Sequence, residues 1–125
     1  MRLFDSTVLI AHLRGVTAAS ALLREAVAAG RAACSVLTRV EIEGGMRSAE
    51  RAAVARLFAS LTLEPVTDVI ARRAGEQLRA YRRSHPGIDV VDYVIAATAE
   101  IHEAELLTLN VRHFPMMRGL EPAFR

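Results

Sequence analysis

Two periodicities alternate along this chain. Leu3-Phe4, Ala32 to Val36, Leu61 to Val66 and Leu106 to Leu109 are short apolar runs bounded by polar residues. Runs of this length suit buried strands. Between them, apolar residues recur at three- and four-residue spacing, which suits helices. The first strand ends near Asp5, and a turn leads into a helix over Val8 to Ala11. Thr17 is placed to cap a second helix running to Ala29, with Gly30 at its C′ position. Thr38 starts a helical stretch that ends near Gly44-Gly45, and Ser48 caps a helix through Leu61. Thr67 opens a long helix to about Ser84, which Pro86-Gly87 breaks. Asp89 or Asp92 begins the apolar helix DYVIAATAEIHE. Four short strands alternating with helices predict right-handed βαβ units and an α/β fold with a parallel sheet.

Composition narrows the class. The chain has 125 residues, of which 52% are hydrophobic, so one domain with a conventional core is expected over residues 1–125. The single cysteine, Cys34, excludes an intrachain disulfide framework and a cysteine-based zinc site. Asp5 and His12 interrupt the apolar N-terminal stretch, which argues against a signal peptide, and no run reaches the ~20 apolar residues of a membrane span. A cytoplasmic protein without membrane attachment is expected. The formal net charge is +2, carried by sixteen Arg and no Lys. Codon usage in a GC-rich genome accounts for that imbalance as readily as phosphate recognition, for which the planar guanidinium is suited.

Chemistry concentrates where strands end. In open α/β sheets, ligands sit at the carboxyl ends of the strands. Asp5-Ser6-Thr7 follows the first strand, Ser35 and Thr38-x-x-Glu41 follow the second, and Asn110 follows the last. Asp92 opens the helix leading into that last strand. These separated positions can converge on one sheet edge. Carboxylates brought together repel unless a cation lies between them, and hard oxygen donors favour Mg²⁺ or Mn²⁺ over zinc. Each position also has an ordinary explanation. Thr38-x-x-Glu41 matches a capping box, Asp92 suits a helix dipole, and Asp5 fits an Asp turn. Asp89 stands three residues before Asp92, so it either caps that helix or joins a second layer around the metal.

FDSTVLIAHL, SVLTRVEI and VVDYVIAATAEIHEAELLTLNVRHF together resemble the motifs of PIN-domain ribonucleases, and specifically the VapC toxins of bacterial VapBC toxin–antitoxin systems. The resemblance spans nearly the whole chain, and its C-terminal segment is the most specific. It implies a PIN-like three-layer fold, with a central parallel sheet of four or five short strands flanked by helices. It implies a Mg²⁺-dependent endoribonuclease (Mn²⁺ substituting), often a homodimer, with a VapB-like antitoxin whose C-terminal segment blocks the site. Carried over by motif, the catalytic set is Asp5, Glu41, Asp92 and Asn110, with Asp5, Asp92 and Glu41 as metal ligands. Asn110 stands where many PIN nucleases have Asp, which argues for one firmly held ion. It also sustains an alternative, a weak or inactive PIN-like protein that binds RNA or a partner. His113 occupies a place often held by Asp and is expected to support the loop.

Arg112, Ser6 and Thr38 are the candidates for contact with RNA. Arg72, Arg79 and Arg83 share one helical face, flanked by Arg73 and Arg82, and form either a solvated face or a phosphate-tracking stripe. Only Tyr81 and Tyr93 are tyrosines and there is no Trp, so a base-stacking platform is poorly supported. A haloacid-dehalogenase-type phosphatase would need a second Asp where Thr7 stands, and a Lys. A receiver-like module would need an acidic pair and a Lys, and both are missing.

Overall fold

The computed structural model describes residues 1–125. Its elements in chain order are β1 (Arg2–Phe4), α1 (Ser6–Leu13), α2 (Thr17–Ala28), β2 (Ala32–Ser35), α3 (Val36–Gly45), α4 (Arg51–Ala59), β3 (Thr62–Glu64), α5 (Asp68–Tyr81), α6 (Val90–Ile101) and β4 (Glu105–Leu107). Single 3₁₀ turns lie at Ser48–Glu50 and Val111–His113. The four strands form one parallel sheet in the order β3-β2-β1-β4.

The central strand β1 shows why its sequence is apolar on both sides. Leu3 and Phe4 are both fully buried, and adjacent strand residues face opposite sides of a sheet. Phe4 packs in a cluster with Val8, Leu23, Ile42 and Phe58, drawn from α1 to α4. Leu3 packs on the other side with Ile95, Ala99, Leu106 and Phe114. α5 lies outside α6 through Ile70, Ala74, Tyr93 and Ala97. The result is the expected three-layer arrangement with four strands. No single helix is long and apolar enough to cross a membrane.

Element boundaries depart from expectation for identifiable reasons. Thr17 is the first helical residue of α2, not its cap, which is Val16. Gly30 follows the last turn at φ +68°, a conformation glycine adopts without steric cost. Ser48 begins a 3₁₀ turn rather than a long helix, and α4 ends at Ala59. The third strand stops at Glu64, ahead of Pro65, and α5 stops at Tyr81. Thr67 does cap α5, its Oγ1 accepting from the Ile70 N–H at 3.2 Å. β4 ends at Leu107 because the next amides bond to side chains instead of a neighbouring strand. The Leu109 N–H donates to Thr7 Oγ1 and the Asn110 N–H to Thr108 Oγ1, each at 3.0 Å.

Candidate active site

Asp5 stands immediately after β1 at the carboxyl edge of the sheet and is only 3% exposed. Its backbone N–H continues the ladder to the Leu107 carbonyl at 2.9 Å, which sets the start of α1 beside the end of β4. Two hydroxyls then grip one carboxylate oxygen. Thr7 Oγ1 donates to Asp5 Oδ2 at 2.9 Å and Thr108 Oγ1 donates to the same atom at 2.8 Å. Each hydroxyl also accepts a backbone N–H, from Leu109 and Asn110 respectively, so each donor direction is committed. Although Asp5 is the N-cap of α1, its side chain accepts no capping hydrogen bond. Oδ1 therefore remains for a ligand.

Asp92 lies in the first turn of α6, and its Oδ2 is 2.8 Å from His113 Nδ1. Asp89 is the cap of that helix, its Oδ1 accepting from the Val91 N–H at 3.1 Å. This resolves which Asp begins α6. Glu41 lies inside α3, whose cap is Ser35, with Ser35 Oγ accepting from the Leu37 N–H at 3.1 Å. The Thr38-x-x-Glu41 capping box is thereby corrected: β2 ends one residue early, the helix starts at Val36, and Glu41 has no capping duty. Thr38 is fully buried and its Oγ1 has no hydrogen-bond partner, so it is closed to direct contact with RNA, against expectation. Ser6 is half-buried and Arg112 is exposed, which leaves both accessible.

The electrostatics tie the carboxylates together. Glu41 is pushed above its ordinary value by partial burial of its carboxyl and by the charges of Asp5, Asp92 and Asp89, with the Ser6 hydroxyl opposing. Asp92 is also raised, chiefly by burial, with His113 pulling it down and Asp5 and Asp89 pushing it up. No three His, Cys, Asp or Glu side chains stand close enough to chelate one ion. The expected trio is thus a set of electrostatic neighbours rather than a preformed chelate. Its donors are all oxygen, and its members repel one another. That chemistry fits a hard divalent cation, which would relieve the repulsion.

Asn110 completes the edge. Its backbone N–H fixes Thr108, and its side chain is tied to no other residue. Sequence reasoning missed Thr7 and Thr108, the two residues that orient Asp5. Thr108 has a visible signal, a lone hydroxyl between Leu107 and Leu109 at the end of an apolar run, but its partner is 103 positions away. Of the arginine stripe, Arg73 is bound to Glu100 and Glu76, and Arg72 is 4.0 Å from Asp68. Arg79, Arg82 and Arg83 remain exposed. Cys34 is buried, and burial pushes its thiol up to about 12, which leaves it unreactive.

Residues 2–118 match the PIN domain family. This chain belongs to the PIN-domain family. Within that family it is of the VapC type. It is 56% identical over 124 residues to Ribonuclease VapC10 of Mycobacterium tuberculosis, covering 99% of this chain and 93% of that protein. It is 48% identical over 125 residues to Ribonuclease VapC19 of the same organism, covering 99% and 100% respectively. The fold matches that of a chain in a toxin–antitoxin complex from Klebsiella pneumoniae, with TM-score 0.77, 24% identity, and coverage of 100% of this chain and 99% of that one. It also matches VapBC2 from Rickettsia felis bound to a promoter DNA fragment, with TM-score 0.78, 17% identity, and coverage of 95% and 94%. The resemblance expected of FDSTVLIAHL and the C-terminal segment is therefore real, and the PIN fold brings Asp5 of the first and Asp92 of the second to one sheet edge.

Proposed function

We propose that this VapC-type PIN protein is a Mg²⁺-dependent endoribonuclease, with Mn²⁺ able to substitute, and the toxin of a toxin–antitoxin pair. The observation that carries the reading is the gathering of three carboxylates, Asp5, Glu41 and Asp92, at the carboxyl edge of the sheet, near enough that Asp5 and Asp92 both raise Glu41 and Asp5 raises Asp92. Charged groups are not left in such surroundings for stability, because burial and like charge both penalise them. The names of the VapC relatives support RNA as substrate. The toxin–antitoxin neighbours support a VapB-like partner. A homodimer and a cytoplasmic location belong to the same proposal.

Asp5 and Asp92 are the residues to hold the cation, with Glu41 and the neutral Asn110 beside them. When bound, a divalent cation polarises the phosphate and acidifies water. Thr7 and Thr108 keep Asp5 Oδ2 fixed, so Oδ1 meets the ligand without a reorientation cost. Glu41, held above an ordinary Glu, is suited to accept the proton of the attacking water at its carboxylate. Water oxygen bonds to phosphorus, the P–O3′ bond breaks, and O3′ leaves with a proton. The product carries a 5′-phosphate. Arg112, exposed beside this edge, is the candidate for phosphate contact.

The test is cleavage of RNA with Mg²⁺ and with chelator, for wild type and Asp5→Asn, with mass spectrometry of the new ends. Cleavage dependent on both the cation and Asp5, leaving 5′-phosphate, is expected. A 2′,3′-cyclic phosphate would sink the hydrolytic scheme. RNA binding with no cation-dependent cleavage would favour the alternative that Asn110 sustains, a PIN-like binding protein without activity.

A further inference from the structure

Two cavities of ligand size open on the α1 side of the sheet. The larger, about 650 Å³, lies among α1, α2 and α4 and carries none of the acidic residues. The second, about 510 Å³, lies between α1, α3 and the Ser48–Glu50 turn, and Glu41 is part of its wall. Cavities of ~300–1,000 Å³ are the usual size for small-ligand sites. Its apolar surface comes from Ile10, Leu13, Ile42 and Met46, with Ala49 closing one side. Arg14 and Arg47 stand on its polar side. Neither guanidinium is paired with a carboxylate. Glu50 also lines it, but Glu50 Oε1 is engaged by the Arg47 N–H at 2.8 Å, which holds the turn in place.

We propose that this cavity receives one unstacked nucleobase of the RNA, next to the bond being cleaved. The inference rests on the ribonuclease reading above. Its argument is continuity and charge. A phosphate held among Asp5, Glu41 and Asp92 puts the neighbouring nucleoside at the Glu41 wall, and the space behind that wall is apolar. Single-stranded bases that are splayed out need a flat surface to stack on, and an Arg guanidinium plane serves where aromatic rings are lacking. No aromatic side chain lines this cavity. Free Arg donors also favour a base edge with two acceptors, as guanine presents at O6 and N7. Apart from Glu41 at its wall, the cavity thus sets the cleavage sequence without taking part in bond breaking.

The experiment sequences the ends released from a random RNA pool by wild type, Ala49→Phe and Arg14→Ala, and titrates each protein with guanosine 5′-monophosphate in chelator. Ala49→Phe fills the space. Arg14→Ala, at an exposed position, removes a donor with little risk to folding, and melting curves check both. The expected result is a single-nucleotide preference beside the cleaved bond that falls at least tenfold in both variants. Nucleotide affinity falls in parallel, while residual cleavage of non-preferred RNA persists. An unchanged preference overturns the proposal. If wild type cleaves no RNA, the ribonuclease reading fails. The nucleotide titration then decides the cavity separately: weaker binding in both variants supports it, and equal or absent binding overturns it.

Discussion

His113 Nδ1 lies 2.8 Å from Asp92 Oδ2, which ties the turn after β4 to the first turn of α6. The contact crosses 21 residues of sequence, and His113 is 42% exposed against 16% for Asp92. One oxygen of Asp92 is thereby occupied by the protein, as one oxygen of Asp5 is occupied by two threonines. Partners of this kind orient ligating groups, and their loss typically costs ~10–100-fold in metal affinity or activity. His113→Ala is expected to raise the cation concentration needed for half-maximal cleavage by about tenfold or more. His113→Asn, which retains a donor, should recover part of it. Identical cation titrations for wild type and His113→Ala would remove His113 from this role.

Thr108 is fully buried and does two jobs with one hydroxyl, donating to Asp5 Oδ2 and accepting from the Asn110 N–H. Thr108→Val keeps the shape and removes both bonds. A buried group left unpartnered costs about 1–3 kcal/mol, so denaturant unfolding should register a loss of that order. Cleavage should fall further than stability accounts for, because Asp5 is released from its orientation. Thr108→Ser is expected to restore both. Full activity in Thr108→Val would show that Asp5 needs no second hydroxyl.

Glu41 and Asp92 both carry raised pKa values, and the sign of the linkage is definite. For an acid whose folded pKa lies above its unfolded one, the folded state binds more protons, so its contribution to stability falls as pH rises. That contribution is intact below the ordinary values, 4.5 for Glu41 and 3.8 for Asp92, and is lost as pH climbs through the raised ones. In chelator at neutral pH, Glu41→Gln should therefore melt at a higher temperature than wild type, with the difference vanishing below about pH 4. Adding Mg²⁺ should stabilise wild type more than the variant, since a ligand stabilises the state it binds. A Glu41→Gln protein that is less stable in chelator would contradict the electrostatic account.

Asp89 accepts a hydrogen bond from the Val91 N–H and caps α6. Asp89→Ala is expected to cost about 1 kcal/mol of stability, the usual worth of such a cap. Asp89→Ser keeps the cap and removes the charge. If Asp89 serves only as a cap, thermal melts and cleavage rates of Asp89→Ser will match wild type. A selective fall in cleavage would place it in the second layer around the metal after all.

Arg112 is exposed in the turn after β4 and makes no ion pair. Arg112→Ala is expected to weaken RNA binding and to reduce the slope of log affinity against log salt by about one phosphate contact. Binding isotherms at three salt concentrations check this, and an unchanged slope would exclude the contact.

The alternation of short apolar runs with helical periods was enough to read an α/β fold with a parallel sheet, because period and length report local burial. Thr67 as a cap and Gly30 past a helix end were equally legible, since both act within a few residues. So were Asp5 at a strand end and Asp92 in the first turn of a helix, because strand ends and helix starts are local features. What surrounds those carboxylates was decided elsewhere. Thr38 looked like a cap and proved to be buried, because Ser35, the last residue of β2, took the capping role three residues earlier. Thr7, Thr108 and Asn110 form one network only because β1 and β4 are neighbours in the sheet. Arg73 looked available for RNA and is consumed by Glu100 on the adjacent helix. Local sequence dictates which elements form and which charges their ends carry. Partners for those charges come from strand order and helix packing, which bring together residues up to 103 positions apart.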